Sequence, residues 1–197
     1  KAVVAENKPA PKISKAEPKQ NPKISHSSAK NLHWTQMSDE QMREIYGNYS
    51  RDITTPYSGN AEDLNRYLKG KGVLSGQGQA FIDAQNKYGI SAAVLAGIAI
   101  SESGGTSSLA RKRFNVTSIS SSRGWRRFNN VSECIDYTAS MLANRYVKNS
   151  GLSGVSLKTL YQINAKYCPV SDTRNNSSNN RFWAQNVENK VREIEKA

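Results

Sequence analysis

The chain has 197 residues, a formal net charge of +12, two cysteines and two histidines. This length suits one domain of ordinary size with a tail, and no apolar run reaches the roughly 18 residues of a membrane-spanning helix. Both histidines, His26 and His33, fall near the tail, and the cysteines lack C-x-x-C spacing. We therefore expect no metal site and no cofactor.

The excess of positive charge indicates an acidic partner, such as nucleic acid, anionic lipid or an anionic wall polymer. The sequence contains no zinc-finger spacing, RNA-binding signature or P-loop, so we do not expect nucleic acid. Charge alone does not choose among the other partners.

Residues 1–33 differ in composition from the rest and are rich in Lys, Pro, Ala and Ser, with seven lysines and two glutamates. Such a segment cannot bury enough apolar surface to offset chain entropy, which predicts a flexible basic linker. Residues 34–197 are predicted to form one folded domain. Because the chain begins at Lys1 rather than Met, we expect an export signal or an anchor on a membrane or particle to have preceded it.

Hydrophobic spacing and capping residues predict that this domain is mostly helical. Ser38 begins a capping box, and Asn60 is a suitable cap for a second helix. The predicted helices cover about 39–49, 61–69, 79–87, 92–102, 132–148, 157–165 and 181–195. Between the fourth and fifth helices, alternation around a turn signal in residues 114–128 predicts a small β-hairpin.

The fourth helix lies in the stretch YGISAAVLAGIAISESGGTSSL at residues 88–109, which organises the domain. Residues 92–100 are all apolar, small or glycine, Ser91 is a candidate N-cap, and a glycine pair can end the helix. A helix that is apolar all round is a buried helix. One carboxylate, Glu102, lies near its C-terminal end.

Burial and the negative end of the helix dipole would both raise the pKa of the Glu102 carboxyl group. A carboxyl group that stays protonated near neutral pH meets the requirement for a general acid. The alternative is a helix-end glutamate that reaches water or pairs with Arg111 or Arg113. Composition leaves both interpretations open.

Several segments, taken in order, resemble the bacterial glucosaminidases, which are peptidoglycan hydrolases of glycoside hydrolase family 73. They are GQGQAFI at 76–82, YGI at 88–90, AISESGGTS at 99–107, the Tyr-x-Pro motif at 167–169, and the following helix with Trp183. The resemblance implies an α+β fold that is mostly α, with a lysozyme-like helical core and a small β-hairpin lobe. It also implies that Glu102 is the catalytic acid.

Five further residues are considered for roles around the site. Asn115 falls at the asparagine of the family's NLFGI stretch and is expected to bind substrate. Trp125 is either a sugar-stacking surface or a cover for the hairpin, and Phe128 is expected in the core. Tyr167 matches the family's tyrosine near the cleft, where it would assist catalysis or hold the substrate; otherwise it is a core tyrosine at a helix end. Asp172 follows this motif and is expected to reach the cleft.

The predicted hairpin departs from the family, which often takes a second carboxylate from this lobe, because residues 114–130 contain no Asp or Glu. The next acidic residues are Glu133 and Asp136. Three reactions remain open: attack by a water that Asp172 positions, attack by the substrate's N-acetyl group, or attack by the sugar's own 6-hydroxyl group, as in a lytic transglycosylase.

From the motif set we expect hydrolysis of the β-1,4 bonds of peptidoglycan, leaving N-acetylglucosamine at the new reducing end. A lytic transglycosylase or muramidase is a related alternative, and a non-catalytic wall-binding module is an alternative of another class. The expected partners are peptidoglycan glycan strands and anionic wall polymers. The expected location is extracellular or at the cell wall, in an exported protein or in a wall-penetrating phage or conjugation apparatus.

The two cysteines fall at the ends of predicted helices, Cys134 at the start of one and Cys168 at the end of another. Their positions usually carry small residues in the resembled family, which suggests a disulfide bond. Closing a loop of about 35 residues would contribute about 3–4 kcal/mol to stability. Two buried thiols are the alternative.

Overall fold

The computed structural model describes residues 32–171 and 179–197. Residues 1–31 of the predicted linker and the candidate residue Asp172 lie outside these ranges. Within them the chain forms eight α-helices: α1 Asp39–Tyr46, α2 Ala61–Leu68, α3 Gly78–Tyr88, α4 Ala92–Ser103, α5 Ser108–Arg113, α6 Val131–Leu142, α7 Leu160–Tyr167 and α8 Trp183–Ile194. Short 3-10 turns cover Trp34–Gln36, Gly72–Leu74 and Asn180–Phe182.

The predicted hairpin is present and is much shorter than the 114–128 segment. Strand β1, Ser120–Ser121, pairs antiparallel with β2, Gly124–Trp125, so that Ser120 lies opposite Trp125. The remainder of the segment is loop, held by side-chain hydrogen bonds of Asn115 and by backbone bonds such as that from the Arg126 N–H to the Ile119 carbonyl oxygen at 2.9 Å. The predicted α+β fold, mostly α with a small hairpin, is confirmed.

Helix α4 is the centre of the core. Residues 92–99 are all buried, as the apolar sequence predicts. It packs most extensively against α8, and Gly97 permits this close approach. A β-carbon at Gly97 would lie 3.0 Å from Val191 Cγ2 and 3.3 Å from the Val187 carbonyl oxygen. The backbone of α4 at Gly97 therefore packs directly against α8, and these two helices carry the candidate site.

The other helices surround this pair. Helix α3 packs against α2, α4 and α6, while α1 packs against α7 and α7 against α8. The predicted inward residues of the last helix, Trp183, Val187, Val191 and Ile194, are all buried. Among the described residues no helix is long and apolar enough to cross a membrane.

Ser91 is the N-cap residue of α4, as predicted, but the predicted hydrogen bond from a helix N–H to its side chain is wrong. Ser91 is buried, and its hydroxyl group makes no capping hydrogen bond. Instead Gln85, near the end of α3, supplies the acceptor: its Oε1 receives hydrogen bonds from the backbone N–H groups of Ala92 and Tyr57, both at 2.8 Å. An orphan N–H at the start of α4 is thus satisfied from a neighbouring helix.

Helix α6 does not stop at Leu142 but continues as a π-helical segment, Ala143–Lys148. The ammonium group of Lys166 donates hydrogen bonds to the Arg145 and Ser150 carbonyl oxygens, the latter at 2.9 Å. The prediction of one helix through residue 148 therefore located the segment correctly and missed its change in winding. Short π-helical stretches commonly occur near functional sites.

Candidate active site

Glu102 occupies the last turn of α4, where the helix ends sharply. Gly104 adopts the left-handed conformation, with φ of 57°, and its N–H donates to the Ile100 carbonyl oxygen at 2.9 Å. The Glu102 side chain is partly exposed at this end of the buried helix. Burial raises the pKa of its carboxyl group, while hydrogen bonds from Trp183 and Ser118 act in the opposite direction.

The strongest contact of Glu102 is with Trp183, the first residue of α8. The indole Nε1–H donates to Glu102 Oε1 at 2.8 Å. The alternative partners weighed from the sequence, Arg111 and Arg113, do not form ion pairs with Glu102 within the described part of the chain. The carboxyl group is therefore held by neutral donors, so it keeps the raised pKa that an arginine would abolish.

Trp183 is fixed by Asn164, a fully buried residue of α7. Asn164 Oδ1 accepts from the Ala184 N–H at 2.9 Å, directly after Trp183. Its Nδ2 donates to the carbonyl oxygens of Cys168 and Asn180, both at 2.9 Å. The Asn164 amide thus joins the end of α7 to the start of α8. These bonds fix the backbone from which the Trp183 indole extends.

Tyr167, the last residue of α7, lies beside this pair. Its ring packs against the Trp183 ring with centroids 5.1 Å apart, and its hydroxyl group donates to the Thr117 carbonyl oxygen at 2.6 Å. Burial, followed by the neighbouring negative charge of Glu102, raises the pKa of the phenol well above its ordinary value. The Tyr167 phenol therefore stays protonated and acts as a donor rather than a base.

The loop that receives this hydrogen bond also reaches Glu102. Thr117 is buried and its hydroxyl group bonds to the Thr138 hydroxyl at 2.7 Å, which anchors the loop on α6. The next residue, Ser118, has a φ of 55°, and its side chain acts to lower the pKa of the Glu102 carboxyl group. Contacts therefore run from Glu102 through Trp183 and Tyr167 to the Thr117 carbonyl oxygen, and they form a partial ring of contacts around the carboxyl group.

Asn115 has a different position from the one expected of a substrate-binding residue. It is fully buried, and its amide is occupied by the backbone. Nδ2 donates to the carbonyl oxygens of Ile119 at 2.8 Å and Arg126 at 2.9 Å, and Oδ1 accepts from the Ile119 N–H at 2.8 Å. These bonds leave no part of the side chain for a ligand. The expectation of direct substrate contact is corrected: Asn115 shapes the loop that carries Ser118.

The two aromatic residues of the hairpin lobe separate into the two roles left open by the sequence. Trp125 is 45% exposed, and its carbonyl oxygen accepts a hydrogen bond from Arg113 Nη1 at 3.0 Å. Phe128 is buried in the core and packs against Tyr137 at a centroid distance of 5.7 Å. Trp125 therefore offers an aromatic face to solvent, and Phe128 does not.

The acidic residues closest in sequence to the hairpin are engaged elsewhere. Glu133 Oε2 accepts from the Asn129 N–H at 2.7 Å at the start of α6. Asp136 accepts from Lys87 and from the Tyr88 hydroxyl group, both at 2.8 Å, on the side of α6 that faces α3. Asp172, the remaining acidic candidate from this part of the sequence, lies outside the described ranges. Among the described residues no His, Cys, Asp and Glu cluster could hold a metal ion.

The expected disulfide bond is not formed in the structure. Cys134 is buried on α6, where its Sγ lies 3.4 Å from the Thr117 hydroxyl oxygen, and burial raises the pKa of its thiol. Cys134 thus packs under the Thr117 loop, which corrects the expectation of a staple to Cys168. The alternative of two thiols fits the described geometry.

Comparison with known proteins identifies the family. Residues 78–196, more than half of the chain, match the Glucosaminidase family, described as mannosyl-glycoprotein endo-beta-N-acetylglucosaminidase. The chain belongs to the glucosaminidase family. The matched range contains Glu102, Tyr167 and Trp183, so the whole ring of contacts lies within the family domain.

Two relatives in the glucosaminidase family are staphylococcal. The bifunctional autolysin of Staphylococcus epidermidis is 37% identical over 100 residues, which are 49% of this chain and 8% of that protein. The bifunctional autolysin of Staphylococcus aureus strain N315 is 35% identical over 107 residues, which are 53% of this chain and 9% of that protein. The match thus spans less than a tenth of the length of these curated relatives.

Two solved structures of S. aureus autolysin E share the fold. A catalytic mutant in complex with the disaccharide NAG-NAM superposes with a TM-score of 0.61 at 22% identity, covering 81% of this chain and 79% of that one. The complex with the muropeptide NAM-L-Ala-D-iGlu gives a TM-score of 0.60 at 22% identity, covering 81% and 78%. At this identity the likeness shows the fold alone, and it confirms the predicted lysozyme-like architecture of a glucosaminidase.

Sequence reasoning missed two residues of the site. Trp183 was predicted only as an inward residue of the last helix. A buried indole N–H normally requires an acceptor, and this requirement could have indicated a polar partner. Ser118 gave no signal, because its contact depends on a left-handed backbone that the sequence Val116-Thr117-Ser118 does not suggest.

Proposed function

We propose that this protein is an endo-β-N-acetylglucosaminidase that hydrolyses the β-1,4 glycosidic bonds of peptidoglycan, with Glu102 as the general acid. The observation that carries the proposal is the setting of Glu102 in a glucosaminidase domain: a carboxyl group at the end of a buried helix, bonded by Trp183 at 2.8 Å rather than by a cation. Burial raises its pKa, which favours the protonated form that a general acid requires.

In the proposed reaction Glu102 gives its proton to the glycosidic oxygen as the bond to the sugar C1 breaks. The leaving sugar departs as an alcohol and positive charge develops on the other sugar ring. The new Glu102 carboxylate is then stabilised by the donor that already faces it, the Trp183 indole N–H. A neutral donor favours the ionised carboxylate less strongly than a cation does. The acid can therefore be protonated before the transfer, and its anion is still stabilised afterwards.

Tyr167 supports the site by position rather than by proton transfer. Its hydroxyl group is bonded to the Thr117 carbonyl oxygen at 2.6 Å, and its ring backs the Trp183 indole. Since the pKa of the phenol is raised well above its ordinary value, a Tyr167 base is not available near neutral pH. We assign it to hold Trp183 and the loop in register around Glu102.

The nucleophile that attacks the positively charged sugar at C1 is either a water or a group of the substrate itself. In one route Asp172 positions a water that attacks C1. In the other, the N-acetyl group at C2 attacks first and water then opens the intermediate, which is a recognised route for N-acetyl sugars. The lack of any Asp or Glu in residues 114–130 favours the second route.

The first test is hydrolysis of purified cell walls by the Glu102→Gln variant. Loss of the acid should lower turnover at least about 100-fold, while the fold is kept. Glu62→Gln is the matched control, because Glu62 is an exposed glutamate at the start of α2. Near-normal turnover by Glu102→Gln would show that Glu102 is not the general acid.

Mass spectrometry of the products tests the reaction type. Hydrolysis leaves N-acetylglucosamine at the new reducing end, whereas intramolecular attack leaves a 1,6-anhydromuramic end lighter by one water. Anhydro ends as the main product would make the protein a lytic transglycosylase. If hydrolysis is found, a large loss in Asp172→Asn favours the positioned water, and retained turnover favours the N-acetyl route.

Trp125 is proposed to stack against a sugar of the bound glycan, because its face is exposed on the hairpin next to the site. Trp125→Ala should raise KM for glycan fragments while kcat stays close to that of the native protein. Phe182→Ala is the matched control, since Phe182 is also an exposed aromatic residue, 39% accessible, outside the hairpin. An unchanged KM for Trp125→Ala would remove Trp125 from the site.

Anionic wall polymers are proposed as a second ligand of the exported protein. Residues 103–132, which we call the basic lobe, contain no Asp or Glu and six exposed cations: Arg111, Lys112, Arg113, Arg123, Arg126 and Arg127. A one-sign surface of this kind binds polyanions with a strong dependence on salt.

Replacing Arg111 and Lys112 by Gln should therefore weaken binding to intact walls at low ionic strength and have little effect at high ionic strength. Lys158 and Lys196, two exposed lysines outside the basic lobe, provide a control double variant with the same change in charge. Equal loss of binding in both double variants would show that net charge, rather than the basic lobe, attracts the polymer.

A further inference from the structure

A short turn that precedes the family domain lies against the end of α4. This 3-10 turn covers Gly72–Leu74, whereas the family match begins at residue 78. The Val73 N–H donates a hydrogen bond to the Gly105 carbonyl oxygen at 3.0 Å. Gly105 follows Glu102 by three positions. The turn therefore reaches the end of the helix that carries the candidate acid.

The turn and the helix end approach too closely for a β-carbon on either side. A β-carbon at Gly72 would overlap the Gly105 carbonyl oxygen, and one at Gly105 would overlap the Lys71 carbonyl oxygen. Both glycines have positive φ, 53° at Gly72 and 72° at Gly105. The two segments thus pack backbone against backbone, so a displacement of one displaces the other.

Gly105 is also bonded to α4 itself. Its N–H donates to Ser103 Oγ at 3.1 Å, and the same hydroxyl group donates to the Ala99 carbonyl oxygen at 2.9 Å. Glu102 belongs to this turn of helix, and its Oε1 accepts from the Trp183 indole at 2.8 Å. A displacement of Gly105 therefore acts through Ser103 on the turn of helix that carries the Glu102 carboxyl group.

We propose that Gly72 is a positioning residue, which lets the Gly72–Leu74 turn pack on Gly105 and so keeps Glu102 in register with the Trp183 indole. The inference rests on the proposed function of Glu102 as the general acid. It extends the catalytic unit to a segment that precedes the family match. Because proton transfer depends on the placement of the acid, a shift of about 1 Å can lower the rate about 100-fold.

Gly72→Ala tests the close approach, because the added β-carbon forces the turn away from Gly105. Gly76→Ala is the matched control, since Gly76 also has positive φ, 80°, and a β-carbon there would meet nothing within 4 Å. The two variants share the backbone strain and differ in the clash. We expect kcat on cell walls to fall at least about 10-fold in Gly72→Ala, with KM close to native, and to stay near native in Gly76→Ala.

Leu74→Ala disturbs the same contact without a clash, and it keeps the test open where Gly72→Ala does not fold. Leu74 is fully buried, and its Cγ would lie 3.1 Å from a β-carbon at Gly105. Truncation leaves a cavity into which the turn can shift. Leu64→Ala, at an equally buried leucine of α2, is the control for lost packing. We expect both to unfold at lower urea concentration and only Leu74→Ala to lose kcat, by several-fold.

The indole N–H resonance of Trp183 gives a readout that does not depend on turnover. This proton lies in the hydrogen bond to Glu102, so its chemical shift reports the relative position of the two groups. The Trp183→Phe variant assigns the resonance among those of the three tryptophans. We expect the resonance to move in the two turn variants, Gly72→Ala and Leu74→Ala, and to keep its native position in the two controls.

The resonance separates this inference from the proposed function. A native protein that cleaves no glycan would remove the proposed function and leave the resonance test in force. An unmoved resonance in both turn variants would overturn the inference, whatever happens to kcat. In an active protein, a native kcat in both turn variants would also overturn it. The same conclusion would follow from a loss that matches the controls or that is confined to KM, since the turn would then affect only stability or substrate binding.

Discussion

The indole Nε1 of Trp183 lies 2.8 Å from Glu102 Oε1, although 81 positions of sequence separate the two residues. Trp183→Phe keeps the ring that packs on Tyr167 and removes the donor. We expect kcat to fall about 10-fold and the alkaline limb of its pH profile to move upward, because a hydrogen bond that favours the ionised carboxyl group is lost. Trp125→Phe makes the same chemical change at another position and is the control. If the alkaline limb of Trp183→Phe moves downward or does not move, the role of the Trp183 hydrogen bond is contradicted.

Glu102 is expected to lower the stability of the fold at alkaline pH. Its pKa is raised on folding, so its contribution to stability is complete below the unfolded pKa and is lost as pH rises through the folded pKa. Each unit of upward shift corresponds to about 1.4 kcal/mol. Glu102→Gln should therefore be inactive and more stable than the native protein at pH 8, with the difference vanishing at pH 4. Urea unfolding at the two pH values measures this, and equal stability at both would refute it.

Asn115 should matter for folding rather than for substrate affinity. Asn115→Ala removes the partner of the Ile119 N–H and of the Arg126 carbonyl oxygen, while the Ile119 carbonyl oxygen keeps its bond from the Arg126 N–H at 2.9 Å. Each orphaned buried group costs about 1–3 kcal/mol, so a large loss of stability is expected. Asn144→Ala, which removes an exposed amide bonded to Ser140, should change stability little. A folded Asn115→Ala with native stability and a raised KM would restore the role of substrate contact.

The ion pair between Arg51 and Glu188 should determine the stability of the domain in acid. Arg51 bonds to Glu188 and Glu195, each at 2.6 Å, and Glu188 is 6% exposed. Burial raises the pKa of Glu188, and the hydrogen bonds and charges of Arg51 and Arg192 together hold it below its ordinary value. Its stabilising effect is therefore present above the unfolded pKa and is lost as pH falls through the folded pKa.

Arg51→Met removes one of the two guanidinium partners of Glu188, which keeps Arg192 at 2.7 Å, and should reduce stability by about 1.5–3 kcal/mol at neutral pH. The loss should shrink on acidification, when Glu188 is protonated in both proteins. Lys190→Met breaks a more exposed pair with Glu193 on the same helix and should cost about 0–1 kcal/mol. Denaturant titrations at pH 7 and pH 3 test the pair, and a loss that does not depend on pH would show that packing rather than charge is responsible.

The core was predictable because its signals are local. The apolar run at residues 92–99 predicts a buried helix, and all eight residues are buried. The Ser38 and Asn60 caps form as the sequence indicates, with both halves of each capping box present. Such features depend on neighbours within one turn of helix, which the sequence lists directly.

The site was predictable only in part, since its partners come from distant segments. Glu102 followed from an isolated carboxylate at the end of an apolar helix, whereas Trp183 and Ser118 acquire their roles only when α8 and the Thr117 loop close on that end. Ser91 shows the same effect at the other end of α4. Its N-cap position follows from the local sequence, whereas the acceptor for the Ala92 N–H comes from Gln85 because α3 packs alongside.

The Asn164 amide gives the order in which this domain can become active during its synthesis. A chain that has emerged as far as Glu102 carries the acid with neither indole nor tyrosine beside it, and the indole is placed only after Asn164 has bonded to Ala184. The first half of the domain can therefore be made while the acid lacks its partner. Under the proposed function, the site around Glu102 is complete only when α8 has joined the fold.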